Sequence, residues 1–136
     1  MSFGNSTETD ILNKLFTNTA LPFDAITDLY LALHTADPGE AGSQTTSEAT
    51  YTSYARVAVA RTGSGWTVSG ATSQNAALVQ FPTATGGTNT ITHVSIGTVS
   101  SGAGQILVSG ALNSSLTVSS GIQPQFSAGA LVFTLD

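Results

Sequence analysis

The chain has 136 residues, eight acidic and three basic side chains, a formal net charge of -5 and no cysteine. That length suits one domain with its own core. The missing thiols exclude disulfide staples, zinc–thiolate sites and thiol nucleophiles, and three basic residues cannot form the stripe that binds nucleic-acid phosphates or an anionic membrane. Charged residues make up 8% of the chain, against about 25% in an ordinary domain, while 40% are hydrophobic. The hydrophobic content argues against disorder. It leaves a surface of Ser, Thr, Gly, Asn and Gln, which repels copies of itself only weakly and suits a protein packed in an assembly.

The opening MSFGNSTETDILNKLF lacks the basic-then-apolar order of a leader, so export by that route is not expected. No apolar run approaches the ~20 residues that span a bilayer. Residues 1–22 read as an arm and a short helix. Ser6 or Thr7 is the expected N-cap, Glu8 and Asp10 sit in the first turn where the dipole favours acids, and Pro22 follows the end. Ile11, Leu12, Leu15 and Phe16 make one apolar face. A helix this short is marginal alone, so that face must dock on its own sheet or on a neighbour.

Leu29, Leu31 and Leu33 alternate with Tyr30, Ala32 and His34, the period of a buried strand. Asp37-Pro38-Gly39 is turn chemistry. Residues 39–53 are hydrophilic and without period, which predicts a long exposed loop ordered by a partner. From Tyr54 the chain reads as β throughout. YARVAVA stops at GSG before Trp66. NAALVQFP, ITHVSIGTV and QILVSGAL follow, then two short strands in SLTVSSGIQPQFSAG, then ALVFTLD with Leu131, Phe133 and Leu135 on one face. Strands every 8 to 12 residues or so, with Gly-rich turns, predict a mainly β single domain, an antiparallel sandwich or barrel-like sandwich with a short N-terminal helix.

Few residues suggest chemistry. His34 and His93 are the two histidines, and a metal or acid–base role requires them to meet beside a carboxylate. Gly63-Ser64-Gly65 lacks the frame of a nucleophile elbow, and TATGGTNT lacks the lysine of a phosphate loop. Asp37, Glu40 and Glu48 flank one loop without the spacing of a calcium loop, which leaves at most a weak calcium site. The two Asn-X-Ser/Thr triplets, at Asn5 and Asn113, carry no meaning without a secretory route. No enzyme activity and no cofactor are expected. Arg56 points away from Val57 and Val59, and in so acidic a chain it pairs with a carboxylate of the 39–53 loop or of a neighbour, or else lies along the surface. Arg61 is expected to be exposed. Trp66 is expected to cover the core edge with its N–H on a backbone carbonyl.

Four stretches carry a resemblance: LYLALHTADPGEAG, YARVAVA, FPTATGG followed by ITHVSIGT, and FSAGALVFTLD. In that order they resemble a family of small tailed-phage virion proteins, often loosely called tail fibre proteins. The departures lie between Trp66 and Leu78 and from Thr98 to Val108, where the family carries more aromatics. The resemblance implies a non-enzymatic structural protein, located in the virion and assembled in the host cytoplasm. Two places compete. A tail fibre needs a shaft of repeats, and the sequence shows none. A capsid decoration, or cement, protein needs a small domain that clamps neighbouring capsid subunits from outside, which suits this chain better. Its partners are then the major capsid protein and its own copies, as a homotrimer, with no nucleic acid and no membrane. Leu12, Leu15 and Phe16 on the helix, Glu40 and Glu48 on the loop, and Arg56 are the candidate interface residues. A sandwich-type carbohydrate-binding module fits less well, because the Phe and Tyr residues fall mostly at core-like positions.

Overall fold

The computed structural model describes residues 1–135; Asp136, the last residue of the ALVFTLD stretch, lies outside the described residues. The chain is mainly β, with antiparallel pairings and one N-terminal helix, as the spacing of apolar runs and glycines predicts. A short strand β1 (Ser2–Phe3) leads into helix α1 (Asn5–Thr17). The helix starts earlier than expected. Gly4, in extended conformation, is its cap residue, and no side chain caps it. Thr7, one of the two expected caps, is instead buried inside the helix and its Oγ1 donates to the Ile106 carbonyl at 3.0 Å. Asn18 ends the helix in the left-handed region, at φ 53°.

The larger sheet joins β1 to β2 (Asp28–His34), β3 (Val57–Ala60), β7 (Asn89–Gly97) and β8 (Ile106–Val118), in the order β1-β8-β7-β2-β3. β8 is one 13-residue strand, where two separate strands were expected. Its polar centre, Asn113 to Ser115, is exposed and shows no apolar period, because it bulges out of the ladder: Ala111 pairs with His93 and Leu116 with Ile91, and the pairing continues to Thr117 and Val118. A three-stranded sheet orders β10 (Val132–Thr134), β5 (Thr72–Asn75) and β4 (Trp66–Ser69). β6 (Val79–Gln80) pairs with β9 (Gln125–Phe126) as a ribbon.

β5, with the sequence TSQN, has no hydrophobic period and no strand was expected there. Its two neighbours and one buried side chain hold it. Asn75 Oδ1 accepts from Leu131 N at 2.9 Å, and its Nδ2 donates to the carbonyls of Ala77 and Ser127 at 2.8 Å each.

Leu31 and Leu33 of β2 and Val94 and Ile96 of β7 share the inner face of the larger sheet. They pack with Phe81, Leu131, Val118 and Tyr51 in one core. Tyr54 stacks parallel to Phe81 with centroids 6.4 Å apart, and Tyr51 meets Tyr54 edge-on at 5.3 Å. Such aromatic pairs add about 0.5–1.5 kcal/mol beyond the area that they bury.

Arg61 is not free in solvent. Its Nη1 donates to the Phe23 carbonyl at 2.7 Å and its guanidinium lies 5.7 Å from the Phe23 ring centre. Trp66 does cover the core edge, against Phe133 at 5.9 Å, but its buried indole N–H has no hydrogen-bond partner among the described residues. The expected carbonyl is absent because β4 pairs through its backbone with β5 and leaves the indole among apolar neighbours.

Candidate functional site

Two regions carry the candidate residues, and they are built in opposite ways. The first is the 39–53 segment. It is a loop in the sense of having isolated bridges, at Ser43, Glu48 and Thr52, and no strand. It is not the exposed loop that its polar sequence predicts, because Gln44, Ala49 and Tyr51 are buried. Ala49 N donates to the Leu33 carbonyl and Thr35 N to the Ser47 carbonyl, both at 2.8 Å, so the segment continues the sheet edge beside β2. Asn89 Oδ1 accepts from the backbone N–H groups of Thr50 and Tyr51, each at 2.8 Å.

Gln44 pins the segment. Its Oε1 accepts from Thr98 N and Val99 N at 3.1 Å each, and its own N–H donates to the Gly104 carbonyl at 3.0 Å. The amide lies so close to Gly97 and Gly104 that a Cβ at either position would overlap it. Those two glycines are therefore set by close approach.

Glu48 and Arg56 are brought together. Arg56 Nε donates to Glu48 Oε1 at 2.7 Å and Nη2 donates to Oε2 at 2.8 Å, a bidentate pair. Further Arg56 donors reach the carbonyls of Val99 at 3.0 Å and Gly102 at 2.8 Å. The Arg56 side chain is 2% exposed and that of Glu48 16%. Tyr54 adds its O–H to Glu48 Oε1 at 2.9 Å and accepts from Leu33 N at 3.1 Å. Burial holds that phenol protonated well above its ordinary range. These groups fix the loop and strand to one register within the chain. Glu40 is exposed, and its carboxylate accepts from Ser2 Oγ.

His34 and His93 are directly opposite each other on β2 and β7, yet their rings have separate partners. His34 Nδ1 meets the Thr46 carbonyl at 2.8 Å, which requires the proton there, and Nε2 accepts from Ser95 Oγ at 2.7 Å. A serine on a histidine recurs in hydrolases. Here both side chains are buried and the third group is a backbone carbonyl, so the trio has the geometry of a structural bond. Burial pushes the His34 imidazole below its ordinary value, with the Thr46 hydrogen bond opposing. His93 Nδ1 meets Thr92 Oγ1 at 2.9 Å.

Asp37, Glu40 and Glu48 do not converge on a cation. Asp37 accepts from Gly39 N at 2.8 Å, Glu40 faces Ser2, and Glu48 faces Arg56. Among the described residues no cluster of three or more His, Asp or Glu side chains could hold a metal ion.

The second region is α1 and the groove beside it. Leu12, Leu15 and Phe16 are 56%, 70% and 80% exposed. The helix docks on its own sheet by another face: Thr7 on Ile106, and Asp10 Oδ2 accepting from Gln105 Nε2 at 2.9 Å. Thr7 and Ile11 of α1 and Phe3 of β1 line an apolar groove of about 790 Å³. Leu29, Ile96 and Leu107 of the larger sheet, Trp66, Val68 and Phe133 of the smaller one, and Arg61 line it as well. The groove marks where the two sheets part. Sequence reading missed it, because its walls come from segments more than 50 positions apart, and only their individual apolar residues were visible.

No helix among the described residues is long and apolar enough to cross a membrane. No curated protein matches the chain. A family model described as podophage GP4 fiber I protein gp80 matches residues 2–134, a span that takes in β1, α1 and every later strand. The chain therefore belongs to this family of phage fibre-type structural proteins, components of the virion.

Proposed function

We propose that the protein is a subunit of a fibre-type appendage on a podophage particle, and that it works by packing against neighbouring subunits without catalysing a reaction. The single observation that carries this is the exposed row Leu12, Leu15 and Phe16 on a helix already anchored by its other face. Burying a large apolar side chain contributes about 1.5–3 kcal/mol, so three anchors repeated around an assembly make a firm joint. The description of the matching family, a fiber protein, supports an appendage. A homotrimer is the assembly we assign to it, since the low-charge, hydroxyl-rich surface opposes self-association little.

A second reading, a capsid decoration protein that clamps the major capsid protein, is favoured by the compactness of the domain, whose one core draws on both sheets and the ribbon. Particles lacking the protein separate the two. Loss of adsorption with intact heads supports the appendage. Heads that burst at lower temperature while still adsorbing support decoration. Particles unchanged in both respects contradict the structural role.

A further inference from the structure

The geometry points to an edge-to-edge joint between copies, in which the protruding centre of β8, Leu112 to Ser115, lies along the open edge of β3 in the next copy as an added strand. This rests on reading the protein as a subunit that packs against its own copies, and it names a contact apart from the helix row.

The two ends of the larger sheet are finished differently. At one end β1 covers part of β8; at the other β3 has no strand beyond it among the described residues. Arg61 N donates to the Thr27 carbonyl at 2.8 Å, and the register of Val59 on Leu29 and Val57 on Leu31 continues that phase. The direction of hydrogen bonding alternates along an antiparallel strand. Val57 and Val59 therefore turn their backbone groups to β2, and Ala58 and Ala60 turn theirs outward. The Ala60 carbonyl accepts from Thr62 N at 2.8 Å. Both alanine N–H groups and the Ala58 carbonyl are left to the edge. They face a slot of about 420 Å³, which residues 77–80 also line. Phe81 N on the Pro124 carbonyl sets the phase of β6, so Gln80 turns its N–H and C=O away from β9. No charged residue lines the slot, and β3 has neither the lysine nor the proline that keeps an edge unpaired. A row of outward N–H and C=O groups is complementary to one kind of occupant, another extended backbone.

The chain itself supplies one. β1 pairs with β8 at Val108 and Ser109, so from Ala111 onward that side of β8 has no strand beside it. On the other side Ala111 pairs with His93 and Leu116 with Ile91, which leaves Leu112, Asn113, Ser114 and Ser115 outside the ladder. These residues lack a strand partner on both sides, and Asn113 to Ser115 are exposed. They match the 4 residues of β3 in length and, like them, carry no charge. A second copy is thus the occupant that the molecule provides for. Because the open edge and the protruding segment lie towards opposite ends of the sheet, the contact is head-to-tail, and it closes as a ring or runs on as a filament.

Amide exchange read by NMR on the full chain, from dilute to concentrated solution, tests the joint. In dilute protein Val57 and Val59 should exchange slowly, and Ala58 and Ala60 fast. As concentration rises, Ala58, Ala60 and residues 112–115 should become protected together. Ala58→Pro removes an outward donor and no ladder bond, and should weaken association about ten-fold. Ala58→Val keeps the N–H and should associate as the unaltered chain does. Ser114→Lys, at an exposed position where folding is not at stake, should weaken association from the other side of the joint. Protection of Ala58 and Ala60 without residues 112–115 would mean that β3 takes a different strand, and would overturn the joint. A chain that stays monomeric would overturn it too. Either failure leaves the virion role standing, because that role is judged on particles lacking the protein. Conversely, paired protection with unaffected particles would remove the virion role and keep the joint.

Discussion

The 39–53 segment and helix α1 reverse what their sequences suggest. The segment is polar and without period, yet it is bound into the core by Gln44, Glu48 and Tyr51. The helix is amphipathic, yet its apolar row faces solvent. The difference teaches where the chain is finished and where it is not. Every long polar side chain of the segment that enters the interior finds a partner, so nothing there waits for another molecule. On the helix side three anchors and an open groove remain uncovered, and apolar surface of that kind marks an interaction site.

The comparison is broken most severely at the ion pair. Glu48→Gln leaves a 2%-exposed guanidinium without its carboxylate, and should lower stability by about 3–5 kcal/mol in denaturant unfolding. The double variant Glu48→Gln with Arg56→Met should recover much of that loss. If the single change costs nothing, the segment is not held as described. Next comes the Gln44 pin. Gly97→Ala forces a methyl into the amide and should cost about 1–3 kcal/mol. Gln44→Ala should cost a similar amount, by leaving Thr98 N and Val99 N unpaired. Because Gln44→Ala also removes the obstacle, the two together should cost clearly less than their sum.

A smaller effect follows pH. The folded His34 has its pKa lowered below the ordinary 6.5 by burial, so the unfolded chain binds the extra proton first as pH falls. Stability is then full above about pH 6.5 and declines as pH drops below it, by at most about 1.4 kcal/mol per pH unit for one proton. A urea midpoint that stays flat from neutral pH into this window would contradict the neutral, doubly bonded imidazole; replacing His34 by Gln should flatten it. The smallest effect on stability belongs to the helix. Leu12→Ser, Leu15→Ser and Phe16→Ser should each shift it by no more than about 0.5 kcal/mol, while the set removes association in light scattering. A large loss of stability would mean that the row packs within its own chain.

Much of the β architecture was legible in sequence, since Leu29–Leu33 and Val94–Ile96 alternate as buried strands must. The pairing of Arg56 with Glu48 was one of the readings that the cost of an unpaired charge left open, beside a neighbour's carboxylate and a surface position. What stayed hidden depends on contacts distant in sequence. β5 has no period because its neighbours and Asn75 hold it. The burial of Gln44 depends on two glycines more than 50 positions away. The His34–Ser95 bond needs the register of β2 on β7. Trp66 was placed correctly against the core, but the backbone carbonyl expected for its N–H was not there. The groove had no local signal at all.

Amide hydrogen exchange on the free protein and on the assembled particle tests the central claim most directly, because it reads both regions at once. The account predicts added protection in Asn5–Thr17 on assembly, with residues 43–49 slow to exchange in both states. Added protection confined to residues 39–53, with α1 unchanged, would contradict it.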